Sequence, residues 1–168
     1  ERILAAAVYE FAEKGFERAS YNAIIAAAGI SKGAMYYYFD DKMDLFVTAV
    51  RQALGSMVGD LANLKVDRPE DYWPAIHEMA LAGVVFAQTN PEQLTLYREL
   101  IALHQSHQAH PLVEGLYAEF YGITDTMVGL GQSLGVVRTD LPSGMLEAAV
   151  KGAGEALDQW YLDHLDPL

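Results

Sequence analysis

Apolar residues recur three or four positions apart along almost the whole chain, the period of an α-helix buried on one side. Ile3, Ala7 and Phe11 lie four apart, with Leu4 and Val8 beside them. This first helix should stop at Gly15, where a left-handed residue suits the C-terminal cap and Phe16 supplies the apolar contact after it. Ser20 offers the hydroxyl of an N-cap to a short second helix, with Ile24, Ile25 and Ala28 turned inward and Gly29 at its end. Ser31 caps a third helix only two residues later. Asp41 caps a fourth, with Asp44 three positions on in the manner of a capping box. Leu45, Phe46, Ala49, Val50, Ala53 and Leu54 carry that helix towards Leu64. Val66 to Pro69 is a break, and Pro69 opens a fifth helix that runs to about Thr89. Asn90-Pro91 opens a sixth and His110-Pro111 a seventh. Gly135 to Pro142 reads as a loop, an eighth helix follows from about Ser143 to His164, and Asp166-Pro167 begins another turn. There is no hairpin signal and no alternating run, so the expected fold is all-α.

The third helix breaks the pattern of the rest. It reads SKGAMYYYFDDK over residues 31–42, with three tyrosines in a row. Consecutive residues point in different directions around a helix, so these rings cannot share one buried face. Met35 and part of Tyr36 are expected against the first helix, and Phe39 is expected to close the small core. Tyr37 and Tyr38 are then left pointing outward. Two short helices joined by a glycine turn, the second rich in hydroxyl and small residues, describe a helix-turn-helix over about residues 20–39. Tyrosine hydroxyls can donate to phosphates, and their rings can meet base edges or thymine methyls. Ser31, Lys32 and the Gly33 amide stand at the positive end of the same helix, and Gly33 has no Cβ to hold DNA away. Lys42 opens the next helix and is expected to clamp the DNA backbone from the side.

Charge qualifies this picture. The chain of 168 residues has a formal net charge of -12, which argues against non-specific coating of nucleic acid. The acid is uneven. Residues 1–50 hold five Lys/Arg against seven Asp/Glu, while the remainder holds six against sixteen. Cysteine is absent, so no disulfide or thiolate site exists, and a reducing cytoplasm is the expected compartment. No apolar run is long enough to span a membrane, and ERILAAAVYEF is not a secretory signal.

Residues Arg2 to Phe46, RILAAAVYEFAEKGFERASYNAIIAAAGISKGAMYYYFDDKMDLF, resemble the DNA-binding domain of the tetracycline-repressor (TetR) family. The likeness rests on Gly15-Phe16, the hydroxyl at Ser20, the run from Ile24 to Ser31, and the run from Lys32 to Lys42. It implies phosphate contacts from Ser20, Ser31, Tyr36, Tyr38 and Lys42. It implies base or near-base contacts from Asn22, Lys32, Ala34 and Tyr37. Met35 replaces a common Leu, and Ala19, Asn22 and Ala23 stand where Thr, Arg and Asp are frequent, which bears on the operator sequence. The resemblance also implies a basic arm before Glu1 and a further helix after the Asp166-Pro167 turn. The expected division is a DNA-binding domain over 1–46 and a helical effector-binding and dimerisation domain over 47–168.

In that second part, Val113, Leu116, Phe120, Ile123, Met127, Leu130 and Leu134 are spaced as a heptad-like buried seam. Gly115, Gly122 and Gly129 recur every seven residues on another face. A helical Gly costs about 1 kcal/mol relative to Ala, so such a row suggests a close partner helix, room for a ligand or a crowded contact within the chain. Ala148, Gly152, Ala156 and Trp160 lie four apart on the eighth helix, a face suited to tight helix packing. The resemblance implies a homodimer through the last helices. It also implies an effector pocket among helices four to seven. Candidate linings are Trp73, His77, Met79, Phe86, Tyr97, Leu100, His104, Tyr117, Phe120 and Tyr121, apolar walls with a few polar handles for a small apolar or aromatic molecule. Most of them also read as plain core.

His104, His107 and His110 have a spacing seen in metal sites, but Pro111 follows and no supporting carboxylate stands out, so a polar helix end is the reading and no metal or cofactor is expected. His77-Glu78 lacks the second histidine of a zinc-protease helix, since position 81 is Leu. With no nucleophile elbow, phosphate loop or dinucleotide fingerprint, an enzyme is not expected. The expected function is a ligand-responsive DNA-binding repressor, with a helical small-molecule-binding protein that no longer recognises DNA as the alternative.

Overall fold

A computed structural model describes residues 1–62, 66–106 and 110–164, and the side chains within them except those of 56–58, 60–62, 158 and 161–164. Eight helices are found among the described residues: α1 (Arg2–Arg18), α2 (Tyr21–Ala28), α3 (Lys32–Tyr38), α4 (Lys42–Ala62), α5 (Pro69–Thr89), α6 (Pro91–Gln105), α7 (Pro111–Ser133) and α8 (Ser143–His164). The fold is all-α, as the periodicity predicts. Leu64, His107 and the Asp166-Pro167 turn lie outside the described residues.

The short-range signals act as read. Ser20 Oγ accepts from the Ala23 amide at 3.2 Å, and Ser31 Oγ from Ala34 at 3.1 Å. Gly29 is left-handed at φ 64°. The Ile30 amide donates to Ile25 O and the Gly29 amide to Ala26 O, the paired bonds of a Schellman cap. Asp41 accepts from the Asp44 amide at 2.9 Å. Asp44 reaches back to the Asp40 amide at 3.1 Å, one residue earlier than a capping box would place it. Gly15 does adopt a left-handed φ of 70°, but α1 does not end there. Helical turns resume after it and run to Arg18.

The chain forms two compact units. The first comprises residues 1–59 and 86–117, so α6 belongs with α1, α2 and α3. Its core is built on three phenylalanines. Phe11 meets Phe46 edge-on at 5.1 Å, and Phe16 meets Phe46 at 5.2 Å. Ile24, Met35, Leu45, Leu96 and Leu100 are fully buried in the same unit. Each such side chain contributes about 1.5–3 kcal/mol on leaving water. Leu100, a candidate pocket lining, is therefore core.

The second unit comprises residues 60–85 and 118–168. Here Tyr72 is buried, and its hydroxyl donates to Met127 O at 3.0 Å. A Cβ on Gly131 would collide with Val137 and come within 2.7 Å of the Tyr72 ring, so this glycine is required by a close approach. The glycines that sequence spacing singles out behave differently. A Cβ on Gly115, Gly122 or Gly129 would meet nothing within 4 Å. Among the described residues they are not the crowded intrachain contact that the spacing also allows. α7 ends where Gly135, at φ 72°, lets the Val136 amide return to Gly131 O at 2.9 Å. Lys151 of α8 pairs with Asp125 of α7 at 2.9 Å.

Candidate nucleic-acid interface

Helix α3 is seven residues long and is pinned by one residue, Met35, which is fully buried. The rest of its surface is open. Tyr36, Tyr37 and Tyr38 are all exposed, and Tyr37 is 83% exposed. The Tyr37 and Tyr38 rings stand edge to face at 5.1 Å on this open surface. Ser20, Asn22, Ser31, Lys32 and Gly33 are exposed as well, and Ala34 is half-buried. A Cβ on Gly33 would find only Ser31 Oγ, at 4.0 Å, so the surface beside it is free for a close approach. Phe39 is half-buried at the C-terminal cap of α3 and is not sealed in the core.

Lys42 departs from the expectation. Its ammonium donates to three backbone carbonyls, Phe16 O at 2.8 Å, Glu17 O at 3.1 Å and Ala19 O at 3.4 Å. It also lies 4.6 Å from the centre of the Phe16 ring. An ammonium has three donors, and all three are used. Lys42 thus caps the end of α1 here, where the sequence reading expects a phosphate clamp. Lys32 keeps its place on the open face, 5.8 Å from the Tyr36 ring centre.

Two residues that sequence spacing does not reveal hold this face in position. Tyr21, at the start of α2, lies 5.5 Å from the Tyr36 ring and donates from its hydroxyl to Phe39 O at 3.3 Å. Burial raises its phenol above the ordinary range. Glu10 is a buried carboxylate whose Oε1 accepts from Lys14 Nζ at 2.7 Å and from the Ser20 amide at 3.0 Å. It thereby ties α1 to the cap of α2.

The hydrogen bond from Lys14, and then that from Ser20, hold the Glu10 carboxyl below its ordinary value of 4.5, against the opposing effect of burial. A group whose folded pKa is depressed gives stability that is present above 4.5 and lost as pH falls through the lowered value. Glu10→Gln is therefore expected to melt lower than wild type at neutral pH. The gap should close at an acid pH below that lowered value. Parallel melting curves between the two pH values would contradict this assignment.

The effector candidates divide between the units. Phe86, Tyr97, His104 and Tyr117 belong to the first, and Trp73, His77, Phe120 and Tyr121 to the second. Trp73 and His77 are exposed; the other six are half-buried, as is Met79. The structure brings His104 and Tyr117 together as parallel rings 3.5 Å apart. His104 Nδ1 lies 2.7 Å from Glu114 Oε1, so this histidine does have the carboxylate partner that its spacing does not reveal. Trp73 stands edge-on to Tyr72. On α8, Ala148, Gly152, Ala156 and Trp160 are exposed; on α7, Gly129 is exposed and Gly122 half-buried. A Cβ on Gly152 would meet nothing within 4 Å.

Comparison with known proteins bears on this geometry. The sequence profile described as "Bacterial regulatory proteins, tetR family" matches residues 3–49, which hold α1, α2, α3 and the start of α4. The uncharacterized HTH-type transcriptional regulator YvdT of Bacillus subtilis is 24% identical over 76% of this chain and 64% of its own length. The HTH-type transcriptional repressor BepR of Brucella suis is 38% identical over 32% of this chain and 25% of its own length. This chain thus spans under two thirds of either relative. Among solved structures, the transcriptional regulator FadR of Bacillus subtilis, in complex with stearoyl-CoA, superposes with a TM-score of 0.75 at 17% identity. That superposition covers 96% of this chain and 86% of FadR, and shows a shared fold. The motif, its paired caps and the helices that carry them lie within the segment that matches this profile, so residues 3–49 are similar to the TetR family of bacterial regulatory proteins.

Proposed function

We propose that the protein is a ligand-responsive transcriptional repressor that binds operator DNA as a homodimer through α2 and α3. The observation that carries this reading is the open face of α3. Three exposed tyrosines, one lysine and one capping serine project from a helix whose one buried residue is Met35. A fold does not need three exposed aromatics in succession, and a DNA groove can use them. The small-residue face of α8 supports dimerisation. The open rows at Gly122, Gly129 and Gly152 leave space for a second copy.

The aromatic candidates on α5 to α7 support a small apolar or aromatic effector. The structure of FadR with stearoyl-CoA adds a long acyl chain to the ligands worth trying. Release would follow if the effector favours the arrangement that does not fit DNA by a few kcal/mol. The protein acts in the cytoplasm in this reading, and no described helix is long and apolar enough to cross a membrane.

One observation favours the second reading, a ligand-binding protein without operator recognition. With Lys42 spent on carbonyls, Lys32 is the one remaining lysine of the proposed interface. Binding assays on two variants decide between them. Tyr37→Ala should change sequence preference and cost about 1–3 kcal/mol on the preferred operator. Lys32→Ala should weaken all duplexes alike and lower the salt slope by about 1. Wild-type affinity and slope in both variants would remove the DNA assignment.

A further inference from the structure

We infer that Glu99 of α6 is a positioning residue for operator binding, setting the angle of the helix-turn-helix by gripping the turn at Gly15 and Phe16. The inference rests on the DNA-binding reading above. Its basis is the backbone break inside α1. Gly15 has φ 70° and ψ 166°, far from helical values, so the Phe16 amide loses its helical acceptor while the residue itself stays buried. A buried amide without an acceptor is costly. The acceptor comes from 83 residues away, where Glu99 Oε2 takes the Phe16 N–H at 2.9 Å.

The same contact explains why residue 15 is glycine. Its φ favours glycine, and a Cβ there would also lie 2.9 Å from Glu99 Oε1.

Residues 15–20 are held by charged groups of three helices. Glu99 takes the Phe16 amide, Glu10 of α1 takes the Ser20 amide, and Lys42 of α4 takes the carbonyls of Phe16, Glu17 and Ala19. Ser20 is the cap of α2, so the direction in which this turn leaves α1 sets the direction of α2 and then α3. Glu99 is the one of these three groups that comes from α6. The Phe16 ring is already anchored on Phe11 and Phe46. The unit therefore keeps its aromatic core without Glu99, and what Glu99 adds is the angle. In a dimer, that angle decides which separation of two half-sites both heads can reach at once.

The test compares wild type, Glu99→Ala and Glu99→Gln on duplexes that carry the selected half-sites at the selected separation and at one or two base pairs more or less. Melting of each protein is measured alongside. Wild type should discriminate sharply among separations. Glu99→Ala should lose about tenfold of that discrimination while staying folded, the effect of one charge-assisted hydrogen bond. Glu99→Gln should recover much of it, because the amide oxygen still accepts from Phe16. Equal weakening of Glu99→Ala at every separation, or unchanged discrimination, would overturn the inference. Failure of the wild type to select any duplex would overturn the DNA reading itself, and that result is seen before a variant is made.

Discussion

Gly152→Arg is expected to yield a folded monomer that has lost at least about a hundredfold in operator affinity, the scale of linking two binding heads. The single chain has no reason to object to the substitution. Gly152 is exposed inside α8, and a Cβ there meets nothing within 4 Å. Replacing a helical glycine even recovers about 1 kcal/mol of helix propensity. The damage falls on assembly. Ala148, Gly152 and Ala156 form a face of minimal height, and a two-fold contact introduces each substitution twice. Two arginines would enter where two backbones are meant to approach. Sedimentation at micromolar concentration and binding to a palindromic duplex check this together. A dimer that survives the substitution, with operator binding intact, would move the interface elsewhere.

Lys42→Met is expected to lower the stability of the first unit by about 2 kcal/mol, through loss of a charged donor to three carbonyls. Methionine keeps an apolar stem against Phe16, so the change isolates the ammonium. Denaturant midpoints measure it. The salt dependence of DNA binding by the folded variant should equal that of wild type, in contrast to Lys32→Ala. A variant that is as stable as wild type but has a lower salt slope would restore Lys42 to the phosphate contacts.

The two lysines show where sequence reading reaches and where it stops. Caps are short-range chemistry. Ser20, Ser31, Asp41 and Gly29 act within three to five residues of themselves, and all four are visible as residue types next to apolar runs. The partners of Lys42 stand 23 to 26 residues away, and that of Glu99 is 83 away. Periodicity carries no information about them. Lys42 has the right type and place for a phosphate contact, and only the fold shows its ammonium already engaged. Glycine spacing misleads in a similar way. The seven-residue rhythm of Gly115, Gly122 and Gly129 draws attention, yet the packed glycine of α7 is Gly131, set by Tyr72 and Val137. The exposed tyrosines were legible for the opposite reason. Three consecutive aromatics cannot all be buried on one helix, whatever the tertiary structure.

In the proposed function this acidic, all-helical protein reads a specific DNA sequence from the tyrosine face of α3. Selection of bound duplexes from a random pool by the wild-type protein tests it most directly. Enrichment of a two-fold symmetric site is expected, with half-sites that lose their preference in Tyr37→Ala. A pool that remains random after repeated rounds at low salt, from a folded dimer, would contradict it.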